Sequence, residues 1–250
     1  MGGIVRIPMN RVEGDLEISV EIDGGVVVDA WSAGTMFRGF ERLLVGRGAL
    51  DGLVITPRIC GLCSASHLTA AARALDAVAG VRPPPAAMRL RNVALMSEHI
   101  QSDVRQAFLM FAADFVNPAY AACALFDEAV RRYAPFAGET VAEVIRESKR
   151  VLEIIALIGG QWPHSSFMVP GGVVSVPDTA ALLECRLLLD RYKRWYERRI
   201  LGCSIERWRE VKSAADLDAW IDECAAHQGS DLGFFIRFAR AVGIDKVGGG

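Results

Sequence analysis

The strongest constraint on the fold is a change in the spacing of apolar residues along the chain. Residues 15–31 alternate apolar and polar positions on either side of Asp23-Gly24-Gly25, which is the pattern of two strands joined by a tight turn. Beyond Cys63, apolar residues recur at steps of three and four, the period of a helix buried along one side. The sequence therefore predicts a mainly α fold (α+β), with an N-terminal β-hairpin followed by a bundle of long helices.

Prolines and glycines, which cannot continue a helix, divide the helical part into segments. These breaks fall at 81–85, 117–118, 159–160 and 170–172. Ser213 precedes one segment and is a candidate N-cap. The helices predicted between the breaks cover 68–78, 86–111, 140–158, 177–201, 214–226 and 232–242.

Composition excludes several classes of protein. The 28 basic and 30 acidic side chains give a net charge of −2, so nothing favours binding to nucleic acid. A hydrophobic fraction of 52% indicates a large core or a buried interface with another subunit. No apolar run reaches the roughly 18 to 20 residues of a membrane helix, and the first eight residues are no signal segment. We expect no direct membrane insertion, and a location in the cytoplasm or at a membrane through partner subunits.

The chemistry is concentrated in Pro57-Arg58-Ile59-Cys60-Gly61-Leu62-Cys63-Ser64-Ala65-Ser66-His67. Two thiols three positions apart at a loop-to-helix junction can converge on one metal, and the helix N-terminus and Arg58 favour the thiolate form that binds metal. His67 lies one helical turn beyond Cys63, where it is a candidate ligand or a donor that orients a sulfur. Taken alone, the segment fits half a zinc site, a redox dithiol, or two ligands of a softer transition metal.

The rest of the chain weighs against two of these interpretations. A closed zinc site takes four ligands, and no second CxxC or HxxxH occurs in the sequence. Thioredoxin-like dithiols occur in a βαβ context, whereas here a hairpin precedes a long run of helices. An incomplete soft-metal site remains, whose other ligands must come from another polypeptide. The four other cysteines are far apart in the sequence, which is not the spacing of a disulfide scaffold. We interpret them as small buried side chains rather than as metal ligands.

The cysteine motif, with His67, resembles the first cysteine motif of the nickel–iron hydrogenase large subunit. Further segments resemble that family in the same order along the chain: Arg11–Gly14, Met36–Glu41 with Gly46-Arg47, Ala74–Asp76 with Gly80-Val81, Gly159–His164, and Val169–Val173. Segments 201–203, 230–235 and 243–247 are most similar to the uptake-type branch of cyanobacteria and of aerobic, high-affinity hydrogen oxidisers.

One departure from the family pattern is large. The family's second cysteine motif, a DPCxxCxxH near its C-terminus, does not occur in this sequence. The resemblance therefore implies an N-terminal half of the large subunit, a split or truncated form that acts only with a chain supplying that second motif. The domain organisation that the resemblance implies is a single incomplete domain over residues 1–250. It has a β region at 1–34 and a helical region, which carries the CxxC loop, at 35–250.

The resemblance also implies roles for individual residues. Cys60 would be a terminal nickel thiolate, and Cys63 a thiolate bridging nickel to an iron that carries CO and CN ligands. Arg58 and His67 would adjoin this Ni-Fe centre. Glu13 would be the carboxylate that passes protons onward during the splitting of H2, and Glu41 would help to hold a Mg ion. Iron–sulfur clusters of a small-subunit partner would carry the electrons away.

Each assignment has an ordinary structural alternative. Glu13 beside Arg11 fits a surface ion pair, and Glu41 fits a pair with Arg38 or Arg42 on a helix. His67 fits a helix residue that touches no metal. For the whole chain, the alternatives are a zinc module or a non-catalytic relative, such as the quinone-side subunit of respiratory complex I. That relative lacks the CxxC pair, so the presence of both cysteines favours a hydrogenase.

Overall fold

The structure is a computed structural model that describes residues 2–9, 11–12 and 14–247. Residue contacts divide the chain into two compact units, Met1–Arg47 and Gly48–Gly250. The interpretation of the chain as a single incomplete domain stays a prediction. Within the described part, no helix combines the length and the apolar composition that crossing a bilayer requires.

The first unit contains a three-stranded antiparallel sheet in the order β1-β2-β3. The strands are β1 (Gly3–Met9), β2 (Leu16–Asp23) and β3 (Val26–Gly34), and a short helix, α1 (Phe40–Leu44), follows them. Gly24 and Gly25 both have positive φ (59° and 83°), which a two-residue turn between twisted strands requires. The predicted hairpin is therefore confirmed. Strand β1, which pairs with β2, lay outside the sequence prediction.

The second unit is helical apart from one small hairpin. Its α-helices are α2 (Gly52–Ile55), α3 (Ser64–Ala79), α4 (Pro85–Arg105), α5 (Phe126–Tyr133), α6 (Glu139–Gly159), α7 (Thr179–Trp195), α8 (Ile205–Trp208), α9 (Ala214–Glu223), α10 (Ala225–Gly229) and α11 (Asp231–Ala241). Shorter 3-10 turns lie at 49–51, 56–58, 112–116, 118–120 and 244–246. The hairpin pairs β4 (Met168–Val169) with β5 (Gly172–Val173). The predicted mainly helical fold is confirmed.

The core of the second unit forms around α6, which packs against both α4 and α7. Its inward stripe repeats at helical spacing and includes Val144, Val151, Ile155 and Ile158, none more than 2% exposed. A group of rings closes the other end of the core, and its members are Phe108, Phe115, Tyr133, Phe234, Phe235 and Phe238.

Three helix ends differ from the sequence prediction. The segments predicted at 86–111 and 177–201 both end in a widened π turn, at Gln106–Phe111 and Tyr196–Leu201. The helix predicted at 214–226 was wrong at its end, because α9 stops at Glu223 and Cys224 is extended (φ −161°) before α10. The start was right: the Ser213 hydroxyl accepts the Asp216 N–H at 3.1 Å, and Asp216 caps Ser213 in return.

A buried ion pair ties α3 to the β4–β5 hairpin. Arg91, 2% exposed, places Nη1 2.6 Å from the Asp76 carboxylate, and Asp76 also accepts the Gly171 N–H at 2.7 Å. The same guanidinium donates to the carbonyls of Val169 and Gly172 at 2.6 and 2.9 Å. Hydrogen bonding from Arg91 lowers the pKa of Asp76. This network fixes the hairpin turn on the end of α3.

Breaking this pair should cost much of the fold's stability. Asp76→Asn leaves the Arg91 charge buried without its carboxylate, which typically costs about 3 to 5 kcal/mol. Because the pKa of Asp76 is lowered in the folded state, its contribution is present above the ordinary carboxylate pKa and disappears as pH falls through the lowered value. Urea unfolding at neutral and acidic pH should therefore show a large deficit for the variant that shrinks in acid. Equal stability at neutral pH would contradict this account.

Candidate metal centre

The two cysteines lie where a 3-10 turn gives way to α3. The turn covers Thr56–Arg58, the cysteine loop covers residues 59–63, and Cys63 is the N-cap of α3. The Cys63 backbone N–H donates to Cys60 Sγ at 3.3 Å, so the first sulfur folds back over the loop. Both thiols are half-buried, and all six cysteines are outside disulfides.

A buried carboxylate lies at the start of α3. Glu98, on α4 and 1% exposed, accepts the backbone N–H of Ala65 at 2.7 Å and that of Ser66 at 2.8 Å. The Ser66 hydroxyl donates a third bond at 2.7 Å. These are two of the backbone donors that the first turn of a helix leaves unpaired. The N–H groups of Ala65 and Ser66 are therefore bonded to Glu98 rather than to a cysteine sulfur.

A second loop lies against the other side of the cysteine loop. The His164 backbone N–H donates to Ser64 Oγ at 3.2 Å, and its ring Nδ1 donates to the Pro57 carbonyl at 2.8 Å. A Cβ added to Gly61 would lie 3.9 Å from His164 Cε1. His164 has positive φ (65°) and its carbonyl accepts a bond from Gln161 at 2.7 Å. The cysteine loop is thus held at both ends by residues distant in sequence.

The two other residues predicted to adjoin the cysteines, His67 and Arg58, differ in their burial and hydrogen bonds. His67 is half-buried on α3, and its N–H donates to the Cys63 carbonyl at 3.2 Å in an ordinary helical bond. Thr56 Oγ1 donates to the His67 carbonyl at 3.4 Å. Arg58 is exposed, and its guanidinium donates to the Val54 carbonyl. The roles of Arg58 and His67 toward a cofactor stay predictions.

The two predicted carboxylates belong to the first unit. Glu13 lies outside the described residues, so its predicted role rests on the sequence motif. Glu41 is exposed on α1, and within the described part of the chain no ion pair joins it to a basic residue. Arg42 lies over the Phe37 ring, 5.5 Å from its centre. The magnesium role of Glu41 stays a prediction.

The donor set fits a soft transition metal whose coordination is completed from elsewhere. Across residues 2–9, 11–12 and 14–247, no three His, Cys, Asp or Glu side chains gather in a group able to hold a metal ion. Two thiolates at a half-buried, hydrogen-bonded loop are soft ligands suited to nickel or iron. Further ligands must come from other residues.

Comparisons with known proteins match this region. Residues 38–142 match the family model described as nickel-dependent hydrogenase. The periplasmic [NiFeSe] hydrogenase large subunit of Desulfomicrobium baculatum is 34% identical over 192 residues, which are 71% of this chain and 37% of that protein. The solved Ni-Fe-Se hydrogenase of D. vulgaris Hildenborough, oxidised as isolated, has a TM-score of 0.64 at 30% identity, covering 78% of this chain and 43% of that one.

This chain is homologous to the N-terminal region of nickel-dependent hydrogenase large subunits. The hydrogenase-2 large chain of Escherichia coli K12 is also similar, with 27% identity over 72% of this chain and 34% of that protein. The chain spans well under half the length of these relatives. They include NiFeSe enzymes, so the predicted uptake-type branch is not confirmed.

Sequence reasoning missed Glu98 and named His164 only as part of the segment Gly159–His164, without a role of its own. A signal for Glu98 was present: positions 94, 97, 98, 101 and 104 form one helical stripe, and the structure buries all of them. A carboxylate on such a stripe must find hydrogen-bond donors. The signal for His164 was weaker, because its bonds reach residues about a hundred positions away.

Proposed function

We propose that this chain supplies Cys60 and Cys63 as half of the thiolate ligands of a Ni-Fe centre that splits H2 heterolytically, in the uptake direction. The observation that carries the proposal is the pair of cysteines, both outside disulfides, at the α3 N-terminus within the segment homologous to nickel-dependent hydrogenases. The two remaining thiolates would come from a chain bearing the DPCxxCxxH motif. Electrons would leave through the iron–sulfur clusters of a small subunit.

The residues of this chain would act by binding, orienting and moving protons. The Ni-Fe centre, with CO and CN on iron, supplies the soft-metal chemistry that heterolysis requires. Cys60 and Cys63 would hold it, and a cysteine thiolate would be a base able to take up a proton. Glu13 receives that proton and passes it outward. Glu41 contributes a hard oxygen ligand to a Mg ion.

The purified chain alone should hold no stable nickel or iron. Two thiolates leave the coordination sphere open to solvent and to competing metals, and metal binding must also offset the ordering of the site. Elemental analysis and infrared spectroscopy of the isolated chain test this. Stoichiometric nickel with carbonyl and cyanide bands would show that the half-site is sufficient, and would contradict the division of ligands between two chains.

The proposed activity is tested by reconstitution. The chain is produced together with a chain bearing the DPCxxCxxH motif and with an iron–sulfur small subunit, and hydrogen-dependent dye reduction is measured. Activity that needs all three chains supports the proposal. Metal-loaded complexes that lack activity would favour a non-catalytic relative, whereas tight zinc in the isolated chain would favour a zinc module.

A further inference from the structure

Glu98 is an unusual buried charge. It is 1% exposed, and among the residues described (2–9, 11–12 and 14–247) no arginine, lysine or histidine forms an ion pair with it. The other buried carboxylates are paired: Asp76 with Arg91, Glu147 with Arg146 and Arg150, and Asp231 with two arginines. Burying a charge without a counter-ion is costly unless hydrogen bonds satisfy it.

Among the described residues, the hydrogen bonds that satisfy the Glu98 side chain come from the first turn of α3. Its three bonds all come from Ala65 and Ser66, two and three residues after Cys63. The positive end of the α3 dipole adds a favourable field at the same point. A carboxylate from α4 therefore fixes where α3 begins, and Cys63 is the residue immediately before that beginning.

We infer that Glu98 is a positioning residue of the cysteine loop, an inference that rests on the proposed function. It touches neither sulfur in the structure, and acts by holding the first turn of α3 against α4. With that turn fixed, the Cys63 N–H points at Cys60 Sγ and the two sulfurs keep one relative placement. Metal ligands need such support, because residues behind the ligands typically contribute about 10- to 100-fold to metal affinity.

The variant Glu98→Gln isolates this role. The amide keeps the size of the side chain, but one of its two ends becomes a donor that faces a backbone N–H. One of the two main-chain bonds is then lost, and the start of α3 loosens. Ser66→Ala removes the hydroxyl bond alone and keeps both main-chain bonds. Glu147→Gln is the matched control, since Glu147 is 4% exposed and lies on α6 with arginine partners.

The first measurement is a titration of the purified full chain with excess Co²⁺, followed by the thiolate-to-cobalt absorption. We expect Glu98→Gln to weaken the complex by about tenfold or more, with Ser66→Ala and Glu147→Gln close to wild type. Equal affinity in Glu98→Gln and wild type would overturn the inference. So would an equal loss in Glu147→Gln, which would make the effect one of general stability.

The second measurement is alkylation by iodoacetamide, with each cysteine read by peptide mass spectrometry. Exposed Cys224 is the internal reference. Glu98→Gln should raise the rates at Cys60 and Cys63, relative to Cys224, by at least about threefold through local opening; unchanged ratios would overturn the inference. If the wild-type chain forms no cobalt complex, as the two thiolates of a half-site allow, the alkylation ratios alone decide the role of Glu98, and reconstitution with the other chains tests the proposed function separately. Should Glu98→Gln fail to fold, Glu98→Asp, which keeps both oxygens on a shorter arm, should show the same changes in smaller measure.

Discussion

Cys63→Ser in the reconstituted three-chain enzyme should abolish hydrogen oxidation and remove the paired metals. A hard hydroxyl cannot replace the soft thiolate that Cys63 would supply to the metal centre, and a serine hydroxyl keeps its proton at neutral pH. The change is small in volume at a half-buried position, so the second unit should fold as before. Hydrogen-dependent dye reduction and metal analysis of the purified complex measure both effects.

The matched control for Cys63 is Cys203→Ser. Cys203 is half-buried and its sulfur accepts the Trp220 Nε1–H at 3.3 Å, a bond that a serine oxygen can also accept. Burial raises the pKa of the Cys203 thiol, which makes it a poor metal ligand. Its substitution should leave activity and metal content close to wild type. If the two variants lose similar activity, or Cys203→Ser loses more, the assignment of ligands is wrong.

The hairpin and the long helices could be predicted from the sequence because their determinants are local. Gly24 and Gly25 supply the positive φ of the turn, and the helical period of α6 is carried by its own residues. Strand β1 was missed because Ile4-Val5 interrupts its alternation and Pro8 argues against a strand, and every one of its positions is exposed. Its place in the sheet depends on pairing with β2.

The break between α9 and α10 shows where local reasoning stops. No proline or glycine marks Cys224, and the apolar pattern continues through it. The chain turns there because His227 folds back, stacking on Trp220 with ring centres 4.9 Å apart and bonding the Trp220 carbonyl at 2.7 Å. Gly202 lies against the same segment, where an added Cβ would lie 2.3 Å from the Ala226 carbonyl oxygen. These are tertiary contacts, and the spacing of apolar residues along a single helix does not predict them.

The candidate site shows the same difference between features set by local sequence and features set by contacts with distant residues. The ligands themselves are readable, because CxxC spacing at a helix start is a local pattern. The residues that hold them are not, since Glu98 lies 33 positions from Ala65 and His164 lies 100 from Ser64. The sequence thus predicts two candidate metal ligands, and the structure adds the hydrogen bonds that surround their loop.

Glu13→Gln should separate proton transfer from metal binding in the reconstituted enzyme. The amide keeps the size of the side chain and one acceptor oxygen but removes the group that titrates. A proton relay without that group should slow turnover by about 10² or more, the usual scale for a lost acid–base residue. Metal content and the carbonyl and cyanide infrared bands should stay at wild-type values, because a relay touches protons rather than metals.

Two further measurements make the assignment of Glu13 specific. Hydrogen/deuterium exchange should slow together with hydrogen oxidation, since both need protons to leave the site. Reduction of the iron–sulfur clusters by an artificial reductant should keep its rate, since no proton from the centre is involved. Turnover at the wild-type rate would reduce Glu13 to a surface ion-pair partner such as its neighbour Arg11 suggests. Loss of metal would instead make Glu13 a structural support of the centre, and the relay would then have to pass through another group.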